Sequence, residues 1–142
     1  AAVMKGDNLY ETMGLVRIAE MSAEKGAVLE YEARGEQCHS GGVVQGGFVT
    51  GWIDAAMAHA AMAVAGKDVV PMTLELKVSF LAPVRPGRVL AEGWAVKHGR
   101  KTCFYEGALK DGAGNLLAKA SCTMLLADRA KVEAASATAL GG

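Results

Sequence analysis

The sequence has no surplus of charge: 15 Lys plus Arg face 15 Asp plus Glu across 142 residues, and no long run of one sign occurs. Neutralising nucleic-acid phosphates takes a basic surface, so nucleic acid is excluded as the main partner. Cysteine is scarce. Cys38, Cys103 and Cys122 are an odd set at wide spacings with no CxxC pair, which suits neither a disulfide framework nor a zinc site, and a reducing cytoplasm is the simpler setting. The first residues carry Lys5 and Asp7 and lack a continuous apolar run, so no signal peptide is expected in the sequence as it stands. No internal repeat is visible, and the length is that of one ordinary domain.

What the sequence has in abundance is one apolar stretch. From Phe48 to Ala65 almost every residue is apolar, mostly alanine, and the exceptions are Thr50, Asp54 and His59. A surface helix shows an apolar stripe opposite a charged face, so this pattern predicts a helix buried on all sides. Alanine combines high helix propensity with little bulk, which lets a sheet wrap closely around it. A membrane span would also need about 20 apolar residues. Here Asp54 and His59 sit mid-segment and the flanks lack a Trp/Tyr belt or a basic cluster, so a span is rejected. An ionised carboxylate in such surroundings is costly unless paired, and Asp54 therefore needs a partner.

The rest of the chain reads as sheet. Asn8 to Gly14 predicts a short helix capped by Asp7 or Asn8 and stopped by glycine. Leu15 to Met21 and Ala27 to Ala33 alternate apolar with polar residues and predict a two-stranded hairpin. Five glycines between Arg34 and Gly47 predict a loop leading into the buried helix. Beyond it the period is two: Met72, Leu74, Leu76, Val78 and Phe80 should face one way, and Thr73, Glu75, Lys77 and Ser79 the other. Pro83 and Pro86 bracket a turn. Arg88 to His98, Lys101 to Lys110 and Leu116 to Leu126 then predict an antiparallel meander through glycine-bearing connections. The expected domain is 1–127, with 128–142 an alanine-rich tail, helical or mobile. A single apolar helix beside a mostly antiparallel sheet implies an α+β fold in which the sheet curls around the helix.

Four in-register pieces carry a family resemblance. His39-Ser40-Gly41-Gly42-Val43-Val44-Gln45-Gly46-Gly47-Phe48-Val49-Thr50-Gly51-Trp52-Ile53-Asp54 is similar to the glycine loop and helix of the PaaI-like hotdog acyl-CoA thioesterases. Val78-Ser79-Phe80-Leu81-Ala82-Pro83-Val84-Arg85-Pro86-Gly87 resembles the same family, as do His98-Gly99-Arg100-Lys101 and Asp111 to Ala118. The resemblance implies a hotdog fold and hydrolysis of an acyl-CoA thioester without metal or other cofactor. It also implies a homodimer or dimer of dimers, with each site shared between subunits; unpaired strand edges on a lone curled sheet agree with that.

By the resemblance, Asp54 is the catalytic carboxylate, as general base or nucleophile, and Gly46 supplies a backbone N–H to the thioester carbonyl. Helix N-termini present such free N–H groups and positive partial charge, which suits a developing oxyanion. His39 matches a polar side chain that positions water or substrate. Thr73 matches a hydroxyl near the reacting centre. Gln45 stands where many members carry histidine, and with Gly47 it borders the substrate position. Arg85, Arg88, Lys97, Arg100 and Lys101 gather around two neighbouring turns in the sequence, with Glu92 the sole acid between Arg85 and Lys101. Arg85, Arg88, Arg100 and Lys101 are thus candidates for a rim holding the phosphates of coenzyme A. Blander roles stand beside these. Asp54 alone reads about evenly as a structural carboxylate satisfied by local donors, and the glycines could serve the turn only. Cys38 and His39 diverge as extended neighbours, and His59 is taken as a hydrogen-bonded core residue. The alternative function is a hotdog module that binds or senses acyl-CoA without turnover. Aromatic or short-to-medium acyl groups are the expected substrates.

Overall fold

The computed structural model describes residues 8–141. In chain order it contains α1 (Asn8–Met13), β1 (Leu15–Ser22), β2 (Gly26–Ala33), a single 3-10 turn (Gly35–Gln37), α2 (Gly46–Ala65) and β3 (Val69–Phe80). β4 (Gly87–His98), β5 (Thr102–Asp111), β6 (Leu116–Asp128) and α3 (Arg129–Ala139) complete it. The short first helix is where the sequence places it; the expected cap Asp7 lies outside the described residues. All strand pairings are antiparallel, in the order β1-β2-β4-β5-β6-β3. The hairpin β1–β2 and the meander β4–β5–β6 are those read from the alternation. The pairing of β6 with β3 places the strand that follows α2 at the far edge of the sheet. The curled sheet with α2 packed against it is the hotdog arrangement.

Close approach of helix and sheet is what the small residues provide. Gly93 on β4 pairs with Gly107 on β5, and α2 lies directly over that pair. A Cβ on Gly93 would stand 2.6 Å from the backbone of Ala56 and Met57, and one on Gly107 would stand 2.6 Å from Ile53 Cγ2. Around this contact Trp52, Ile53, Met57, Leu29, Tyr31, Leu109 and Met124 are fully buried. Trp52 stacks on Tyr31 at 5.5 Å between ring centroids. Its indole Nε1–H donates to Met13 O at 2.8 Å, tying α1 to the core helix. Buried polar aromatic groups usually require such a partner.

Two expectations need correction. Burial of α2 on all sides is not found. Val49, Trp52, Ile53, Ala56, Met57, His59, Ala60 and Ala61 are buried, but Gly51, Asp54, Ala55, Ala58 and Met62 are half-buried and Val64 is exposed. The reason is geometric: a single sheet ending at β1 and β3 covers part of the helix circumference and leaves a stripe of small residues open. The helix has the length and hydropathy of a membrane span, yet its larger apolar side chains point into the sheet. The alternation of β3 is also interrupted. Its pairing passes from Thr73↔Met124 to Glu75↔Thr123, so Leu74 is an extra, bulged residue. Beyond the bulge Leu76 and Val78 pack on the core, whereas Met72 and Leu74 are 44% and 63% exposed. Thr73 is thereby turned inward, opposite to the expected phase.

The glycine-rich connection is shorter than expected, because Gly46 and Gly47 belong to the first turn of α2. The tail is helical. Asp128 caps α3 by accepting from Lys131 N–H at 3.0 Å, and Arg129 Nε donates to Lys67 O at 2.7 Å. None of its residues is buried.

Gly93→Ala should cost about 2–3 kcal/mol, because the methyl group meets helix backbone that cannot rotate away. For a domain of this size that is a fall in Tm of roughly 5–10 °C. Gly112→Ala, where the nearest atom stands 4.0 Å off, should change stability by less than about 0.5 kcal/mol. Urea and thermal denaturation of the two variants measure both; equal effects would refute the close-packing argument.

Candidate active site

The first turn of α2 leaves backbone N–H groups without helical partners. Gln45 is the N-cap, with extended dihedrals of φ −62° and ψ 136°. Its Oε1 accepts from Gly47 N–H at 2.8 Å, and its own N–H donates to Gln37 O at 2.9 Å. Glutamine is not among the strongest caps, and its longer side chain fits because Gly47 has none: a Cβ there would stand 2.7 Å from Gln45 Oε1. Position 45 thus has a structural role. Phe48 N–H is used by Gln45 O at 3.0 Å. Gly46 N–H meets no acceptor among the described residues, which leaves it as the open donor at the positive end of the helix.

Gly46 opens onto a groove of about 420 Å³, lined by His39, Val43, Val44, Val49 and the segment from Phe80 to Val84. Phe80, 57% exposed, lies across the helix end, with its Cζ 3.2 Å from where a Gly46 Cβ would be. Any larger residue at 46 must displace that ring. Strand alternation marks Phe80 as apolar but carries no sign that it would roof the helix terminus.

The carboxylate of Asp54 is held elsewhere. Its Oδ1 accepts from Thr73 Oγ1 at 2.7 Å, a contact that exists because the Leu74 bulge turns Thr73 toward α2. The partner demanded by a half-buried carboxylate is therefore a hydroxyl on the edge strand. Cys122 stands beside this pair: burial first, and the Asp54 charge second, push its thiol up to about 11. The sequence offered no signal for that neighbour, since Cys122 reaches Asp54 only through the pairing of β6 with β3.

Structure divides the predicted site residues into groups. His39, Gly46 and Gly47 meet at the groove end of α2, and Asp54 and Thr73 meet about two turns further along. Eight residues of helix span about 12 Å, so one carbonyl cannot touch both Gly46 N–H and the Asp54 carboxylate of the same chain. The expected single basic rim is absent too. Arg85 and Arg88 flank the Gly87 end of β4, in a cleft sharing Pro83 with the groove. Arg88 is paired there with Glu30 at 3.2 Å. Arg100 and Lys101 follow the opposite end, beyond His98; a strand of this length measures about 40 Å at 3.3 Å per residue. Proximity in sequence was undone by an extended strand. His59 is buried, with Nδ1 bonded to Ala55 O at 2.7 Å, and Cys38 Sγ donates to Arg34 O at 3.6 Å. Neither joins the site.

A buried polar cluster that the sequence did not suggest lies at the His98 end of β4. Tyr105 Oη and His98 Nδ1 share a hydrogen bond of 2.8 Å, with Cys103 Sγ 3.4 Å from the same nitrogen. Burial, aided by the two neighbouring thiols, pushes the Tyr105 hydroxyl up to about 12, so it stays neutral.

A profile of the thioesterase superfamily matches residues 41–118, more than half of the chain and including Gly46, Asp54, Thr73 and every groove-lining residue but His39. The chain belongs to the thioesterase superfamily. Among its relatives, "Putative esterase SSO2140" of Saccharolobus solfataricus is 32% identical over 117 residues, covering 82% of this chain and 81% of its own. Among solved structures, a phenylacetic acid degradation-related protein from Ralstonia eutropha JMP134 superposes with a TM-score of 0.78 at 28% identity, covering 86% of this chain and 92% of that one. A point mutant of the phenylacetic acid degradation protein PaaI from Thermus thermophilus gives 0.73 at 26% identity, covering 84% of this chain and 98% of that one.

Gln45→Ala removes the cap and should lower stability by about 1 kcal/mol, within the range of cap deletions. Chemical denaturation reads this directly. An unchanged midpoint would show that the Gln45–Gly47 bond contributes nothing to the helix end.

Proposed function

We propose that this member of the thioesterase superfamily hydrolyses acyl-CoA thioesters, with aromatic or short-to-medium acyl groups as substrates. One observation carries the reading: a free N–H at a helix N-terminus opens on an apolar groove, and a carboxylate on the same helix is oriented by a hydroxyl. Such donors stabilise the charge that develops on a carbonyl oxygen during acyl transfer. A carboxylate with one oxygen held by Thr73 has the other free to take a proton from water.

In this reading the thioester carbonyl oxygen sits on Gly46 N–H. Water attacks the carbonyl carbon and passes its proton to Asp54. The tetrahedral intermediate then collapses, breaks the C–S bond, and expels the coenzyme A thiol with that proton, leaving the carboxylic acid. The offset of about 12 Å along α2 requires the two halves to come from different chains. A second copy laid antiparallel against the open stripe of α2 and the β3 edge would bring its Asp54 to the first copy's Gly46. Pairing at that edge would also cover the exposed Met72 and Leu74, which are otherwise an aggregation hazard. Arg85 and Arg88 are the basic groups close enough to the groove to meet the phosphates of coenzyme A. The binding-without-turnover reading was motivated by Gln45, and the capping role of that side chain removes its motivation.

Asp54→Asn should lower kcat by about 10²-fold or more while leaving KM within a few-fold, read by thiol release from a panel of aromatic and medium-chain acyl-CoAs. Gly46→Pro removes the N–H, and its ring also displaces Phe80; Gly46→Ala, which displaces Phe80 but keeps the N–H, is the control. Proline is accepted at the first helical position, and Gln45 already holds the extended backbone that precedes a proline. The activity of the proline variant should fall by a similar factor. Mixed after unfolding and refolding together, the two inactive variants should recover about a quarter of wild-type activity, since half the dimers carry one intact site. No recovery from correctly assembled mixtures would refute the shared site. No turnover by the wild type on any thioester would refute the enzyme reading.

A further inference from the structure

The end of β3 places an aromatic ring where the first turn of α2 has no side chain. Phe80 shares the phase of Leu76 and Val78, which pack on the core, but it stands at the helix terminus and its ring stays 57% exposed. The root of the ring is held by the sheet: Phe80 pairs with Ala118, and the N–H groups of Leu81 and Ala82 both reach Leu117 O, at 2.9 and 3.1 Å. The tip rests on the helix. Phe80 Cζ, Cε1 and Cε2 stand 3.2, 3.4 and 3.9 Å from where a Gly46 Cβ would be. These three atoms are the far end of the ring, so it points at Gly46 tip first. It forms a partition on one side of the groove, whose other walls include the buried Val44, Val49 and Val84.

We propose that Phe80 determines acyl specificity: its ring narrows the space beside the Gly46 N–H, so that acyl groups unbranched at the α carbon are accepted and those branched there are turned away. The proposal rests on the thioesterase reading above. A carbonyl oxygen held by that N–H lies about 2.9 Å from the nitrogen, and the nitrogen is about 1.46 Å from the Gly46 Cα that the ring tip abuts. The carbonyl carbon and its two substituents, the sulfur and the acyl α carbon, are therefore brought alongside the ring. A CH2 at the α carbon can turn its hydrogens to this partition. A methyl branch needs room that the ring occupies, and the ring has little freedom to yield, being tied to the sheet at one end and set against helix backbone at the other. Crowding grows as the reaction proceeds, because the carbonyl carbon gains a fourth substituent in the tetrahedral intermediate. The discrimination is thus exerted on the transition state as well as on binding.

The test is a ratio. Thiol release gives kcat/KM for the best straight-chain acyl-CoA of the panel and for its 2-methyl counterpart. The wild type should favour the unbranched substrate by about tenfold or more, as one methyl group does in a close-fitting pocket. Phe80→Ala should bring the two within about threefold of each other, through a faster reaction of the branched substrate. Phe80→Leu keeps an apolar side chain that ends short of Gly46; it should shift the ratio the same way, and it decides alone should the alanine variant fail to fold. A merely structural role for the ring would slow both substrates together and leave the ratio where it was. A wild type that accepts no straight-chain acyl group, or that does not discriminate between the pair, overturns the proposal. So does a ratio that stays within about twofold of the wild type in the variants, or that falls only because the unbranched substrate slows. A wild type without turnover on any thioester overturns the thioesterase reading instead.

Discussion

The contact on which the rest depends is that of the α2 backbone at Ala56 and Met57 with the Gly93–Gly107 pair beneath it. Two glycines paired across neighbouring strands leave a shallow saddle in the middle of the sheet, and an alanine-rich helix can settle into it at backbone distance. Once the helix lies that low, the strands on either side must rise around it. The large side chains on its lower face, Trp52, Ile53 and Met57, are then enclosed by Leu29, Tyr31, Leu109 and Met124. Burial of apolar area supplies the driving force, but the absence of two side chains fixes the depth.

That depth places both halves of the candidate site. The N-terminus of α2 meets the end of β3 at Phe80, and the middle of the helix meets β3 at Thr73. Between those two points β3 carries a bulge, and the bulge decides which residue reaches the carboxylate. A regular strand in the phase fixed by Leu76 and Val78 would present Leu74 to Asp54, an apolar side chain against a charge. One extra residue substitutes a hydroxyl. Bulges near functional sites often re-aim a side chain in this way, and here the cost is an exposed Met72 and Leu74 on an edge strand.

The sequence made the elements legible and left their relations obscure. Every strand could be read from alternation, and α2 from its alanines, because periods of two and 3.6 residues are local properties. Gly46 and Asp54 were singled out through their motif, and both lie on α2. The phase error on β3 arose because one inserted residue reverses a period-two pattern without altering composition, and Met72 and Leu74 are as apolar as Leu76 and Val78. The basic rim failed for a related reason: Arg88 and Arg100 look adjacent until the intervening residues are recognised as one extended strand. The open side of α2 was hidden by composition as well, since alanine facing water and alanine facing a sheet are the same letter.

Charge placement links these findings to the chemistry. The groove end of α2 holds the open N–H of Gly46 and has no side-chain carboxylate among its lining residues, while the Asp54 carboxylate lies further along the helix on Thr73. In the proposed reaction a thioester carbonyl is drawn to the first and a water proton to the second. The separation also protects the fold, because an Asp54 carboxylate set beside the apolar groove in the same chain would require desolvation without compensation. Placed on the open stripe with a threonine hydroxyl for company, it keeps its access to water and lies close enough to the chain surface to serve a neighbour. On the proposed reading, the open stripe and the divided site are two consequences of one arrangement: a helix with one face in the core and the other left uncovered by the sheet.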